Sequence, residues 1–365
     1  MVFCRFRSII EQNISDFLSD ELTIEHNYSL RHLNTFGIDA RAAAYLRISS
    51  TAQLVSALQD PDPDFAAMPR LVLGGGSNIV LTDDFPGLVL HMATRGMRLA
   101  QASLDTVLVT AAAGENWHAF VQWTLAQGVG GLENLSLIPG TVGAAPIQNI
   151  GAYGVEIKDY LHSVSVMHAG SGITFEMNVD DCRFGYRDSI FKQAEGRELI
   201  VLEVTFALPA EWRPNLRYAE LAQAVAEQQL EAGQEQPTMQ QVADTVMAIR
   251  RRKLPDPAVI GNAGSFFKNP VVSQAQCEAL LQQFPGLVHH AQADGTHKLA
   301  AGWLIDQCGW KGKNLGPAGV YPKQALVLVN NGGARGADII RLAEAIAADV
   351  EAKYGVRLSP EPVFV

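Results

Sequence analysis

Short runs of apolar residues separated by glycine-rich turns are the main pattern in the first third of the chain. The runs at residues 71–73, 88–90 and 107–109 have the length and composition of buried strands. Residues 74–78 and 84–87 lie between these runs and contain the Gly, Asn, Asp and Pro residues that are typical of turns. The pattern therefore predicts several short strands that are connected by tight turns.

Apolar residues recur at helical spacing in three later segments. The first spans roughly residues 115–127 and ends at a glycine. The second opens with the capping box formed by Thr238 and Gln241 and ends in the basic run at residues 250–253. The third spans roughly residues 338–354 and is followed by a glycine cap. These three segments are predicted to be helices.

Three other regions complete the pattern. Residues 128–154 are rich in Gly and Pro but also strongly apolar, which favours a buried loop system over a solvated linker. Residues 199–208 alternate as a strand does, whereas the polar, Gln-rich stretch at 209–236 is interpreted as an insertion or a mobile excursion. The mixture predicts α+β domains and argues against a regular βαβ series.

Composition and charge narrow the function classes. The chain has 365 residues, with 28 Lys and Arg against 38 Asp and Glu, for a net charge of −10. This length is enough for two or three domains. The acidic balance argues against general nucleic-acid binding, although backbone amides and a few cations could still hold a diphosphate. Because neither a membrane-length apolar run nor a signal-like segment is evident, we expect a cytoplasmic protein that does not bind membranes.

The cysteines give no sign of a metal site. Cys4, Cys182, Cys277 and Cys308 form no CxxC pair, and none lies at zinc-ligand spacing with histidine. They are interpreted as free thiols that mostly occupy packed positions, and no metal is expected.

A glycine loop after the first predicted strand is a candidate anion site. Successive glycines at residues 74–76, followed by Ser77 and Asn78, would let backbone N–H groups approach a diphosphate closely. The loop matches neither GxGxxG nor GxxxxGK[ST], so these residues alone favour a simple tight turn over an anion site.

A second glycine-rich segment, at residues 130–154, changes that balance because it resembles a known family. The chain is similar to the UDP-N-acetylenolpyruvoylglucosamine reductase family from about residue 30 to the C-terminus. Further matching motifs lie, in chain order, at Asn34-Thr35-Phe36-Gly37, Gly114-Glu115-Asn116-Trp117, Tyr186-Arg187-Asp188-Ser189-Ile190-Phe191-Lys192 and Gly261-Asn262-Ala263-Gly264-Ser265-Phe266-Phe267-Lys268-Asn269-Pro270.

The resemblance implies an FAD-binding fold of the vanillyl-alcohol-oxidase type, made of two α+β subdomains, and a C-terminal α+β substrate-binding domain. The implied first subdomain spans residues 1–92, with residues 1–20 outside the match as a disordered extension. The second subdomain spans 93–240, with a substrate-loop insertion near 209–236. The substrate-binding domain spans 241–355, and residues 356–365 form a tail that returns to the active site.

The resemblance also implies ligands and the residues that contact them. FAD is bound non-covalently, NADPH is a co-substrate, and the chain is expected to be a monomer. The implied FAD-binding residues are Gly74, Gly75, Gly76, Ser77, Asn78, Ile138, Pro139, Gly140, Gly143, Ala144, Gln148, Asn149 and Gly151. The implied substrate-binding residues are Tyr153, Tyr218, Lys253, Asn269 and Gln324.

The implied reaction reduces UDP-N-acetylglucosamine enolpyruvate to UDP-N-acetylmuramate in peptidoglycan precursor synthesis. Ser265 is the implied proton donor, while Arg187 and Glu361 stabilise the enolate that forms after hydride transfer. Without the resemblance, Ser265 is better explained as a surface-turn residue, and Lys253 is explained equally well as a cation at a helix end. The family type is the one with a tyrosine-bearing loop, here at Tyr218, although Ala219-Glu220 replaces the usual Gly-Asp that follows it.

Two other functions remain open at this point. One is an oxidase of the same FAD-binding fold that consumes oxygen and a small alcohol. The other is a non-catalytic protein that binds a UDP-sugar and no flavin.

Overall fold

The computed structural model describes residues 22–59, 65 and 67–365, so the extension predicted at residues 1–20 lies outside the described residues. Its α-helices are α1 (Thr51–Leu58), α2 (Trp117–Ala126), α3 (Ala219–Ala232), α4 (Met239–Lys253), α5 (Gln274–Gln283), α6 (Ala301–Gln307) and α7 (Gly336–Tyr354). Its strands are β1 (Glu25–Ser29), β2 (Arg41–Ile48), β3 (Arg70–Leu73), β4 (Ile79–Val80), β5 (Phe85–Met92), β6 (Met97–Gln101), β7 (Thr106–Ala112), β8 (Gly151–Ala152), β9 (Val155–Glu156), β10 (Leu161–His168), β11 (Thr174–Asn178), β12 (Leu199–Pro209), β13 (Gly261–Ser265), β14 (Val271–Val272), β15 (His289–Ala291), β16 (His297–Leu299), β17 (Asn314–Leu315), β18 (Ala318–Val320), β19 (Val327–Asn330) and β20 (Val363–Phe364).

The first sheet has the strand order β1-β2-β5-β3, with β2 and β3 parallel to the central strand β5. Its two faces belong to different cores. Leu46 and Ile48 pack with Leu54 of α1 on one face, while Tyr45 and Val89 join the core of the C-terminal part on the other. The sheet therefore lies between the two halves of the fold.

The second sheet is antiparallel, with the order β11-β10-β12-β7-β6. Helix α2 covers it through aromatic packing, since the rings of Trp117 and Phe120 lie 5.8 and 5.6 Å from that of Phe206. Residues 128–154 cross the end of this layer in short 3-10 turns and are largely buried, as the sequence predicts. Because many side chains of residues 128–154 are buried, this segment presents mainly its main chain to the cavity described below.

The C-terminal part contains the sheet β13-β19-β18-β17 and the small sheet β14-β16-β15. Helix α7 buries the stripe of Ile339, Leu342, Ile346 and Val350 that its sequence predicts. The chain then returns to the N-terminal part, where β20 pairs in parallel with β4. This return brings residues from both ends of the chain to one site.

The predicted strands at 71–73, 88–90, 107–109 and 199–208 and the three predicted helices are all present. The turn predicted at residues 84–87 is wrong from Phe85 onward, because β5 begins there. Phe85 pairs with Ala42 and Leu88 with Ala44, so one extra residue of β5 bulges at Pro86-Gly87. The turn residues therefore mark an irregular strand start.

The polar stretch at 209–236 is not an irregular excursion throughout, because α3 occupies its second half. Leu221 and Val225, one helical turn apart, are buried against Val242 and Val246 of α4. The other α3 positions are mostly Ala, Gln and Glu, which favour helix without adding an apolar pattern. The implied domain boundaries at 92, 240 and 355 stay predictions. In the described part of the chain, no helix combines the length and apolar content needed to cross a bilayer.

The capping box of α4 should contribute measurably to stability. Thr238 Oγ1 accepts a hydrogen bond from Gln241 N at 3.1 Å, and Gln241 Oε1 accepts one from Thr238 N at 2.7 Å. We expect Thr238→Ala to lower the free energy of unfolding by about 1 kcal/mol in urea titrations. Thr238→Ser keeps the oxygen and should stay near wild type. An equal loss in both variants would contradict this role.

Candidate active site

A cavity of about 500 Å³ is bordered by strand β3 and the loop after it, by the segment at residues 138–153, by the end of α4, and by β13 with the C-terminal tail. It combines main chain from the glycine loops with charged and aromatic side chains from the C-terminal part. Of the residues implied by the sequence, it is lined by Gly74, Gly75, Gly76, Ser77, Asn78, Ile138, Pro139, Gly140, Ala144, Gln148, Gly151, Tyr153, Arg187, Tyr218, Lys253, Ser265, Gln324 and Glu361.

Three implied residues do not line this cavity and instead support its walls. A side chain at Gly143 would lie 2.4 Å from Ala113 Cβ, so the glycine permits close packing. Asn149 donates to the Glu156 carboxylate at 3.0 Å and to a backbone carbonyl at 3.1 Å. Asn269 Oδ1 accepts from Ala301 N at 3.0 Å, at the start of α6. Asn269 therefore holds a helix end in this structure.

The two glycine loops touch through their main chains. A Cβ built on Gly75 would lie 2.9 Å from Gly140 Cα, and one built on Gly76 would lie 1.9 Å from Leu33 O. Gly76 and Gly140 also have positive φ values of 58° and 118°, which favour glycine. Ser77 Oγ donates to Pro139 O at 3.1 Å across the same contact. Only glycine at these positions permits such a close contact between the two loops, which we call the glycine junction.

Two polar atoms at the cavity have no hydrogen-bond partner among the described residues: Thr141 Oγ1 and Arg250 Nε are both buried. Buried polar atoms in proteins are nearly always paired, so unpaired ones on residues that line a cavity are candidate contacts for a polar ligand. Burial lowers the pKa of Arg250, which is the cost of holding this cation away from water. The sequence analysis did not predict a role for Arg250. The available signal was its position three residues before Lys253 on α4, because residues at that spacing lie on the same face of a helix.

Arg187 and Glu361 form an ion pair inside the cavity. Arg187 Nε lies 3.1 Å from Glu361 Oε1, with the two side chains 19% and 12% exposed. Arg187 also donates to Gly151 O at 2.8 Å, and its φ of 55° is rare for a non-glycine residue. Burial raises the pKa of Glu361, although the charges of Arg187, Lys192 and Lys268 act to lower it. The pair is thus a partly desolvated cation beside a carboxyl group that takes up a proton readily.

Ser265 ends strand β13 and lies exposed in the same cavity. The C-terminal tail runs beside it, because Glu361 N donates to Phe266 O at 2.8 Å and Phe267 bridges to Pro360. The preceding Gly264 has a φ of 69°, which turns the strand at this point. Ser265 and Glu361 therefore share one edge of the site.

Two tyrosines form the outer wall of the cavity. The rings of Tyr153 and Tyr218 meet edge to face at 5.1 Å, and Tyr218 is 41% exposed. Burial raises the pKa of Tyr153 to about 12, so its hydroxyl stays protonated and can donate. Tyr218 immediately precedes α3, which links the wall to the helix that the sequence missed.

Lys253 already has a partner in this structure. Its Nζ contacts Glu220 Oε2, and Arg252 lies 2.8 Å from the other oxygen of the same carboxylate. Although burial acts to raise it, the pKa of Glu220 is lowered by its hydrogen bonds and charge pairs with Lys253 and Arg252. A ligand phosphate would compete with Glu220 for Lys253.

A second cavity of about 340 Å³ lies on the other side of the Gly75–Gly140 contact. Arg47, His91 and Arg95 line it. Burial lowers the pKa of His91, and both arginines lower it further, so the two guanidinium groups carry the positive charge here. The glycine junction is therefore flanked by cavities on both sides.

Comparison with known proteins agrees with these features. Residues 256–365 match the family model of the UDP-N-acetylenolpyruvoylglucosamine reductase C-terminal domain, and residues 42–178 match that of an FAD binding domain. The reductase of that name from Paraburkholderia phymatum is 55% identical over 338 residues, covering 92% of this chain and 96% of the relative. The chain belongs to the UDP-N-acetylenolpyruvoylglucosamine reductase family.

Other members of the reductase family give the same picture. The reductase from Ralstonia nicotianae is 54% identical, covering 94% of this chain and 99% of the relative. The crystal structure of UDP-N-acetylenolpyruvylglucosamine reductase from Thermus caldophilus shares the fold, with a TM-score of 0.64 at 24% identity over 94% of this chain and 99% of that chain. The family resemblance and the FAD-binding fold predicted from the sequence are confirmed.

The glycine junction should control FAD binding in this reductase-family chain. Gly75 has no positive φ, so Gly75→Ala tests the 2.9 Å contact with Gly140 without backbone strain. We expect saturating FAD to raise the melting temperature of wild-type apoprotein and to raise that of the variant much less. Gly286→Ala, where the nearest side-chain atom lies at 3.8 Å, is the matched control. An unchanged FAD affinity in Gly75→Ala would contradict the cradle.

Proposed function

We propose that this chain catalyses the NADPH-dependent reduction of UDP-N-acetylglucosamine enolpyruvate to UDP-N-acetylmuramate, with FAD bound non-covalently. One observation carries the proposal beyond family membership. The Arg187–Glu361 pair, Ser265 and the side-chain-free glycine junction all line one cavity. Such a cavity can hold a flavin, an anionic substrate and a proton donor together.

FAD supplies the redox chemistry by passing a hydride equivalent from NADPH to the substrate. The residues present fit this group, because the glycine loops offer main-chain donors and the orphaned Thr141 hydroxyl offers a further contact. We assign the diphosphate to Gly74, Gly75, Gly76, Ser77 and Asn78, and the ring system to Ile138, Pro139, Gly140, Ala144, Gln148 and Gly151. Gly143 and Asn149 act by holding these walls in place.

Arg187 and Glu361 act on the enolpyruvyl group. A guanidinium can hold the substrate carboxylate with paired donors and stabilise the negative charge that develops when hydride adds to the vinyl carbon. Glu361, with a raised pKa, can donate a hydrogen bond to the same enolate in its protonated form. The partly desolvated setting strengthens both interactions relative to water.

Ser265 completes the reaction by donating a proton to the carbon next to the one that receives hydride. A general acid must lie within hydrogen-bond reach of the reacting atom, and Ser265 lies exposed in the cavity beside the tail that carries Glu361. Lys192 and Lys268 lie close enough to lower the pKa of Glu361. Their charges also favour transient negative charge on the serine oxygen.

The nucleotide-sugar occupies the outer part of the cavity. We assign its diphosphate to Lys253 and its sugar and uridine to the wall formed by Tyr153, Tyr218 and Gln324, with Asn269 acting through α6. Arg250 is placed to bind an anionic group of either ligand. We also propose that the enzyme is a monomer. We infer that it works in the cytoplasm, where NADPH and UDP-sugars are held.

Replacing Ser265 with alanine should separate the two halves of the reaction. Reduction of the flavin by NADPH does not use the serine proton and should stay near the wild-type rate. Flavin reoxidation by the enolpyruvyl substrate, followed to muramate product, should slow by about 10²–10⁴. Stopped-flow absorbance with product quenching measures both steps. Equal slowing of both halves indicates a damaged flavin site, and an unchanged second half removes Ser265 from the mechanism.

Replacing Lys253 with alanine should weaken binding of the UDP-linked substrate much more than it weakens binding of FAD. The loss of one cation–phosphate contact is expected to raise the substrate Kd about ten- to hundredfold, with FAD affinity unchanged. Titration of each ligand measures the two effects.

Glu220→Gln is the matched control, because it frees Lys253 from its competing carboxylate. We expect this variant to bind the substrate more tightly, by up to about fivefold, since exposed ion pairs contribute at most about 1 kcal/mol. If both substitutions shift the Kd in the same direction, Lys253 does not bind the diphosphate.

A further inference from the structure

Away from the active site, one cysteine and two histidines come together in the C-terminal part. One ligand atom each from Cys277, His289 and His297 lies within 4.8 Å of the others. The residues are 12 and 8 positions apart along the chain, so the sequence shows no zinc-type spacing. Folding alone creates this cluster.

The register of the small sheet places both histidines on its inner face. His289 pairs with Leu299, and Ala291 pairs with His297, so the two histidines are diagonal neighbours across β15 and β16. Leu299 on the same face is fully buried. Cys277, on α5, is only 1% exposed and belongs to the core that this face covers.

The two histidine rings already meet through nitrogen atoms. His289 Nδ1 lies 3.1 Å from His297 Nδ1, and the ring centroids are 5.1 Å apart. Two facing imidazole nitrogens can share one proton, or both can direct their lone pairs at one metal ion. The neighbouring buried sulfur favours the second arrangement, because a thiol adds nothing to a shared proton but is a strong ligand.

The distances fit a borderline divalent metal. Zinc bonds of about 2.0–2.1 Å to nitrogen and about 2.3 Å to sulfur place tetrahedral ligand atoms about 3.3–3.6 Å apart. The observed nitrogen separation is close to this value, and all three ligand atoms are within 4.8 Å, so a small side-chain rotation closes the site. A Cys and two His form a donor set that prefers zinc-type ions over magnesium or calcium.

We propose that Cys277, His289 and His297 bind one zinc-class divalent ion, with a water in the fourth position. The ion would fasten α5 to the hairpin of β15 and β16, and its role is structural. Burial raises the pKa of the Cys277 thiol, which makes it a weak nucleophile when no metal is bound and argues against a reactive cysteine.

One histidine and one cysteine outside the cluster provide matched controls. His290 lies on the opposite, exposed face of β15, and Cys308 lies outside the cluster. His290→Gln and Cys308→Ser therefore remove the same types of ligand without touching the proposed site.

The test uses the untagged, FAD-loaded protein after treatment with EDTA and desalting. Zinc chloride is titrated by calorimetry, and cobalt(II) is titrated by absorbance in the red, beyond the bands of oxidised flavin. We expect one ion per chain, a tetrahedral cobalt spectrum and a higher melting temperature with zinc. Cys277→Ser, His289→Gln and His297→Gln should each lower zinc affinity by at least about tenfold, while the two control variants keep the wild-type affinity.

Several outcomes overturn the proposal. Wild-type protein that takes up no stoichiometric zinc lacks the site, and equal losses in the controls place the ion elsewhere. An octahedral cobalt spectrum also contradicts the assigned ligands. Should Cys277→Ser lose flavin and fail to fold, the two histidine variants decide the question, because undiminished zinc binding in both rejects the site.

Discussion

The contact between two side-chain-free loops is the constraint on which the site depends. Gly75 approaches Gly140 so closely that a single methyl group would separate them, and Gly76 is equally close to Leu33. The loops come from different sheets, so this contact sets the distance between the two layers. Because the loops present main chain instead of side chains, the cleft they border is wide enough for a large planar ligand and rich in N–H donors.

Burying charged side chains in the site costs desolvation free energy, and a bound anionic ligand can offset part of that cost. Arg250 has a buried, unpartnered nitrogen, and Arg187 faces a carboxyl group whose burial raises its pKa. Lys253 is neutralised by Glu220 at the mouth of the cavity. A partly desolvated cation binds an anion more strongly than an exposed one. The site therefore combines a cation already paired with a carboxylate, Lys253, with a buried cation that has an unpaired nitrogen, Arg250, and this combination suits an anionic ligand.

Much of the fold could be predicted because its elements have strong local patterns, such as the capping box of α4 and the stripe of α7. Helix α3 could not, since only Leu221 and Val225 mark its buried face. The resemblance to the family predicted Arg187, Ser265 and Glu361 as site residues. All three line one cavity in the structure, and their roles remain proposals. Arg250 and the Cys277 cluster escaped detection because their meaning depends on tertiary burial and cross-strand register.

The pairing of β20 with β4 has a consequence for the order of folding. This pairing matches Ile79 with Val363, and the hydrogen bond from Asn78 to the carbonyl of Glu361 spans 283 positions of the chain. Closing a loop of this length costs more chain entropy than forming local contacts, so we expect these contacts to form late. The sheets and the glycine junction can therefore assemble before the carboxyl group of Glu361 arrives. Competence to bind the cofactor should precede competence to catalyse, and a partly folded chain would hold flavin without turning over substrate.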